Sequence, residues 1–323
     1  MGSRRVGVTV AFVWGVAGCV GGTGQSPTAH SAAVAPVSSG VAPATSSGSS
    51  KPLPPPASSP PAPTPTPTPS AGSSGGSGGI AGVTPGNPAL GLELIPGNAA
   101  SQYDLYVPST YNGSPMGIVL AFHGVEGTST PDSWFEVCVY YCNNDRFIIV
   151  APRGDVNDGG SGAWTQPYGR DVLDYVRSKY NVDDKRHYLA AISGGALPGI
   201  WMALASGPAT YTTQYGGYTV KSGYQSDFAA VGFCSAEYKP SDPDFATMQS
   251  ETAAQLGFNP ALWTDYGGLS PDQVYSDELA GWAQARNYAP VHEVVRPGEG
   301  HPPNPPFSYE VQMFDIFAAT KKP

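Results

Sequence analysis

Residues 187–200 read HYLAAISGGALPGI, and the rest of the chain is organised around them. Tyr188 to Ile192 is a short, wholly apolar run of the kind a buried parallel strand shows. It ends on Ser193, two glycines and the helix-compatible segment ALPGIWMALA. A strand that turns directly into a helix brings together the residues two before and two after the turn. Only small side chains fit there, and Ala191 and Gly195 hold those places. Ser193 sits at the apex with its hydroxyl held out of the sheet, and the amide of Gly194 opens the following helix. A serine N-cap between a strand and a helix gives the same local pattern without any chemistry. Because the motif is A-x-S-x-G rather than the stricter G-x-S-x-G, this stretch alone leaves both readings open.

Composition divides the 323 residues sharply. Residues 1–83 contain no Asp or Glu and three basic residues, Arg4, Arg5 and Lys51. The remainder holds 13 of the 16 basic residues and all 25 acidic ones, a net charge of −12. Such a balance argues against nucleic acid or an anionic membrane surface as the working partner of the folded part. About 240 residues are ample for one α/β core.

The first 19 residues carry two arginines and then an apolar run from Val6 to Val16, too short to span a bilayer stably and flanked like a cleaved export signal. Val16-Ala17-Gly18-Cys19 resembles the lipobox of bacterial lipoprotein precursors, which implies that Cys19 receives lipid and becomes the first mature residue. Arg4-Arg5 also resembles a twin-arginine signal, although Gly7 fits that motif poorly. A plain secretory peptide with an incidental cysteine is the alternative. Residues 20–83 are Ser, Gly, Thr, Ala and Pro, including PAPTPTPTPS and SAGSSGGSGG. They carry too little apolar surface to offset the entropy of ordering and are expected to form a disordered tether, semi-rigid in its proline half and flexible in its glycine half. The folded domain is expected over 84–323.

Within that domain SQYDLYVPS (101–109) alternates like an early antiparallel strand. GIVLAF (117–122), FIIVAP (147–152) and FAAVGFC (228–234) read as buried strands, PALWTDYGG contains another, and VHEVVRP (291–297) is the last. GRDVLDYVRSKY is helical, with Val172, Tyr175, Val176 and Lys179 at helical spacing. Strands alternating with helices over this length predict a mostly parallel sheet covered by helices on both faces.

YDLYVP, IVLAFHG, IIVAPRG, DVLDYVRSKYNVDDKRHYLAAISGG, FAAV and GEGH, in that order, resemble the polyhydroxybutyrate depolymerase and feruloyl esterase type of α/β-hydrolase over roughly residues 101–310. The resemblance implies the α/β-hydrolase fold, a serine nucleophile and hydrolysis of carboxylic esters without a cofactor. A serine needs a base within hydrogen-bond reach. His301, in P-G-E-G-H just past the final strand, is where this fold places it. His30 lies in the tether, and His187 and His292 lie within strands, poorly placed to reach Ser193. His123-Gly124 shapes the oxyanion loop in similar enzymes, which makes the amides of Val125 and Gly194 the candidate oxyanion hole.

The acid is where the chain departs from its relatives. In place of their Gly-Thr-x-Asp-like turn it reads Gly267-Gly268-Leu269-Ser270-Pro271-Asp272. Ser270, Pro271 and Gln273 predict a helix start with a serine N-cap and a proline at the first position. Asp272 is the candidate for the group that orients His301, against a reading as a first-turn acid favoured by the helix dipole. Glu237, just past FAAVGFC, is the alternative, and Asp265, inside a strand, is a weaker one.

Trp164 matches a pocket-side aromatic of similar esterases, with a packed core tryptophan the competing reading. Tyr211, Tyr215, Tyr218 and Tyr224 fall in a stretch suited to a substrate-facing or merely exposed hairpin. Cys138, Cys142 and Cys234 cannot all pair within one chain, and Cys138 and Cys142 are one helical turn apart. No metal-ligand spacing or phosphate-binding loop is apparent. The expected protein is thus an exported serine esterase. Its substrate is a polyester of hydroxy acids or a feruloyl or acetyl ester on polysaccharide, and it meets the membrane only through a lipid. Two other functions fit the same residues: an acyltransferase or peptidase with this triad, and a surface binding protein that kept the fold and lost catalysis.

Overall fold

Three of the apolar runs form strands buried on both faces: β3 (Met116–Phe122), β4 (Ile148–Pro152) and β8 (Ala230–Cys234). In the computed structural model the described residues are 72–98, 101–124, 131–153, 169–206, 211–213, 216–218 and 224–323. Cys19, most of the expected tether, Val125 and Trp164 lie outside them. The remaining strands are β1 (Ala89–Glu93), β2 (Gln102–Tyr106), β5 (Val182–Ile192), β6 (Tyr211–Thr213), β7 (Gly216–Tyr218), β9 (Ala261–Gly267) and β10 (Val291–Arg296).

Eight strands make one sheet in the order β1-β2-β4-β3-β5-β8-β9-β10. β1 and β2 pair antiparallel at one edge, and every pairing from β4 to β10 is parallel. With the separate hairpin β6–β7 set aside, this is the strand order of the α/β-hydrolase fold. The tyrosine-rich stretch does form a hairpin, with Tyr211 opposite Tyr218.

Side chains alternate across each strand, so the two faces bury two cores. Leu189 and Ala191 of β5 join Leu120, Val231 and Leu262 on one face, under α2 (Gly169–Lys179), α3 (Ala196–Leu204) and α5 (Gln273–Ala285). Tyr188, Ala190 and Ile192 face the other way, toward Trp134 of α1 (Pro131–Glu136), the π-helical turn Val137–Cys142 that follows it, and Phe314 and Phe317 of α6 (Ser308–Ala319). A short helix, α4 (Ala253–Leu256), is held by a Thr252–Gln255 capping box. α3 is buried along all nine residues, which is why its sequence is apolar all round rather than striped.

Three local expectations change. In α2, Val172, Leu173 and Val176 are the buried positions. Lys179 instead extends its ammonium over the Tyr175 ring at 5.2 Å, so the apolar stripe runs through Leu173. The helix after β9 begins at Gln273 with Asp272 in the N-cap position. Ser270, two residues earlier, accepts a 3.3 Å bond from the Asp272 amide. Residues 72–83, whose composition reads as tether, lie against the start of β5. Ser74 exchanges bonds of 2.8–2.9 Å with Tyr180 and Val182, Gly78 and Gly79 donate to the Lys179 carbonyl, and Ile80 donates to the Tyr180 hydroxyl. Backbone pairing, the Ser74 hydroxyl and the packing of Ile80 and Val83 against the core hold this segment, which composition does not report.

Candidate active site

The β5–α3 turn sets the first residue. Ile192 is extended (φ −130°, ψ 140°), and Ser193 then takes φ +54°, a left-handed conformation that a non-glycine residue adopts at a cost of about 1–2 kcal/mol. A single 3-10 turn, Ser193–Gly195, leads into α3. A Cβ on Gly195 would strike the His123 carbonyl oxygen and stand 2.5 Å from that of Phe122, so the elbow closes onto the end of β3 only because position 195 is glycine. Ala191 is fully buried beneath it. The strand–turn–helix expected from HYLAAISGGALPGI is therefore present, with its strain at the serine.

His301 comes from the loop after β10. Its Nε2 lies 2.9 Å from Ser193 Oγ, and its Nδ1 lies 2.7 Å from Asp272 Oδ2. Of the acid candidates, Asp272 alone takes the Nδ1 side. Glu237 Oε1 stands 3.5 Å from Nε2, the nitrogen that faces the serine. Asp265 points away, held by Arg296 Nε at 2.8 Å and the Ser235 amide at 2.8 Å. Burial disfavours the imidazolium of His301, but the Asp272 hydrogen bond and charge, followed by the charge of Glu237, outweigh it and raise the pKa above 6.5.

Backbone stitching explains why two loops from different strands meet. The Gly268 amide donates to the Arg296 carbonyl and the Leu269 amide to that of Glu299, both at 2.9 Å. A Cβ on Gly267 would strike the Gly300 carbonyl, so this glycine lets the histidine loop pass across the end of β9. Arg296, fully buried, ties the same loops from below. It bonds Asp265 of β9, Glu299 of the histidine loop at 2.7 Å and the hydroxyl of Ser235 just past β8. This arginine cluster was not found by sequence reasoning. Its signal was an arginine closing the last strand, VHEVVR, and lying five residues before His301.

Glu310, on the first turn of α6, completes the cluster. Burial and then the charge of Asp265 push its carboxyl up to about 8, so it is protonated at neutral pH, whereas Asp265, raised by burial to about 6, is ionised beside Arg296. Donor atoms of Cys234, Asp265 and Glu310 lie within 4.8 Å of one another, a spacing a metal could bridge. The cation already against Asp265, however, is the Arg296 guanidinium. Cys138, Cys142 and Cys234 are free and buried.

His123 is buried, with Nδ1 2.5 Å from the Gly124 carbonyl, and desolvation lowers its pKa to about 4, leaving a neutral ring. His187 is likewise neutral inside β5, lowered by burial to about 3. Neither competes with His301. Gly194 sits in the turn beside the serine, as expected. Its proposed partner Val125 and the aromatic Trp164 lie outside the described residues.

No family model and no curated protein matches the sequence. Among solved structures the chain is similar to a truncated carbohydrate esterase from gut microbiota, at 13% identity over 75% of this chain and 98% of that chain, with a TM-score of 0.47. It is also similar to esterase B from Lactobacillus rhamnosis, at 14% identity over 72% and 85% and a TM-score of 0.46. A fluorophosphonate-binding serine hydrolase from Staphylococcus aureus is 15% identical over 73% and 97%, with a TM-score of 0.42.

Proposed function

We propose that this chain is a serine hydrolase of carboxylic esters, working through an acyl-enzyme on Ser193. The observation that carries this reading is the unbroken chain Ser193 Oγ, His301 Nε2, His301 Nδ1, Asp272 Oδ2, at 2.9 and 2.7 Å, ending on a serine held at positive φ. Asp272 keeps the Nδ1–H tautomer, so Nε2 is free to take the serine proton as Oγ attacks the ester carbonyl. The imidazolium then passes that proton to the departing alkoxide as the carbon–oxygen bond breaks. Water, losing its proton to the same nitrogen, attacks the acyl-enzyme and restores the serine. The developing oxyanion is assigned to the Gly194 amide beside the serine, with the amide of Val125, which lies outside the described residues, as the sequence candidate for a second donor.

Export and a lipid on Cys19 are part of the proposal, supported by the arginines, the short apolar run and the Val16–Cys19 pattern. The Thr-Pro-rich stretch supplies reach from a membrane toward a large ester, polyester or esterified polysaccharide. The test is intact-mass analysis after exposure to a fluorophosphonate, alongside Ser193→Ala. One adduct on the wild type and none on the variant is expected. A folded wild type that stays unlabelled defeats the assignment and leaves a binding protein of the same fold.

A further inference from the structure

Glu237 is the unexplained carboxylate of the site. It follows β8, its side chain is 42% exposed, and its amide lies 3.5 Å from the Ser193 carbonyl oxygen. Among the described residues its carboxylate accepts no hydrogen bond, and its single charged neighbour is His301 Nε2 at 3.5 Å. The orienting role is already filled by Asp272 on the opposite nitrogen. Nε2 is the atom that returns the proton to the leaving alkoxide, so the alcohol half of an ester departs past Glu237. A solvated carboxylate at that point offers an acceptor to hydroxyl groups and repels negative charge.

We infer that Glu237 reads the alcohol half of the ester, favouring an uncharged leaving group that bears hydroxyls near the ester oxygen and turning away an anionic one. The inference rests on the hydrolase reading and narrows it, because a polyol or sugar hydroxyl meets Glu237 as a donor, whereas a leaving group ending in a free carboxylate meets it as a like charge. The charged groups that face His301 are Asp272 from the turn before α5, Glu237 from the segment after β8 and, more distantly, Arg296 from the end of β10. Removing the Glu237 charge therefore also leaves the imidazolium with one fewer stabilising neighbour.

The test compares three acetate esters, of a plain alcohol, a vicinal-diol-bearing alcohol and a carboxylate-bearing alcohol, on the full chain and on Glu237→Gln and Glu237→Ala. Relative to the plain ester, kcat/KM for the diol ester should fall about tenfold in Glu237→Ala, the scale of one hydrogen bond to a charged group, and less in Glu237→Gln, which keeps an acceptor. Relative to the plain ester, the anionic ester should gain about three- to tenfold in both variants at low salt, with the gain shrinking at 1 M salt, where screening acts over about 3 Å. The acid limb of the pH profile should move to lower pH in both. Equal scaling of all three esters, or an unmoved limb, overturns the assignment of Glu237 while leaving the hydrolase intact. A wild type inert toward every ester and toward the fluorophosphonate overturns both.

Discussion

Replacing Glu310 by glutamine should make the protein more stable at neutral pH, although it removes a buried side chain's charge-bearing group from a cluster beside the active site. Glu310 is 1% exposed, and among the described residues no side chain or backbone group hydrogen-bonds either carboxylate oxygen. Its pKa is pushed from 4.5 to about 8, first by burial and then by Asp265. Below the unfolded value both states hold the proton and the group is neutral to stability. Between there and about 8 the folded state retains a proton that the unfolded chain has released, so stability falls as pH rises through that window. Each pH unit inside it costs about 1.4 kcal/mol, so the free-energy difference between Glu310→Gln and wild type should grow by about 3 kcal/mol from pH 5 to pH 7. Glutamine has the same shape and does not titrate, so comparison with wild type at each pH cancels the groups that shift the other way, such as Asp145 and Asp227. Urea unfolding at fixed pH, read by both tryptophan fluorescence and circular dichroism, measures it. A difference that stays flat with pH, or a variant less stable throughout, would refute the reasoning and mean that Glu310 is ionised in the folded protein.

Asp272→Asn should leave the fold intact and lower kcat by about 10³- to 10⁴-fold, since an amide can present the wrong tautomer to His301; ester turnover with a matched unfolding curve checks it. The kcat/KM profile should lose activity as pH falls through a value above 6.5, because the raised His301 pKa protonates the base earlier on acidification; a limb at or below 6.5 counts against the Asp272 and Glu237 contributions. Gly195→Ala should abolish labelling of Ser193 or prevent folding, because the added Cβ meets the carbonyl oxygens of Phe122 and His123 at the end of β3, as fluorophosphonate labelling and soluble yield will show. A chain beginning at residue 84 should have a lower Tm than one beginning at 72, since it lacks the backbone bonds from Ser74, Gly78, Gly79 and Ile80 to the residue 179–182 region; calorimetry of the two decides.

The fold was legible from HYLAAISGGALPGI outward because its signals are local. A doubly buried parallel strand must be apolar at every position, and a sharp strand-to-helix turn must be flanked by small residues. Ser193 and His301 were legible for the same reason, one directly after a strand that sequence alone delimits and the other in the loop that follows such a strand. The tertiary structure decided what depends on loops meeting in space. Glu237 and Asp272 follow neighbouring strands and Asp265 lies within one, and nothing in their spacing says which carboxylate reaches Nδ1 of His301. That choice is made where Gly267 allows the histidine loop to cross β9 and where Gly268 and Leu269 bond to it. The set of buried Arg296, Asp265 and Glu310 with half-buried Glu299 was invisible for a related reason: a charge is tolerated in a core only when partners converge on it, and these come from separate segments, none of which records the convergence. Composition likewise did not report the bonds of residues 72–83 to the 179–182 region, because glycine and serine can hold a backbone in place through hydrogen bonds that leave no apolar signal. Periodicity and turn chemistry thus determined the sheet, the elbow and the strands that lead into Ser193 and His301, and long-range packing determined which carboxylate meets His301 and what residues 72–83 touch.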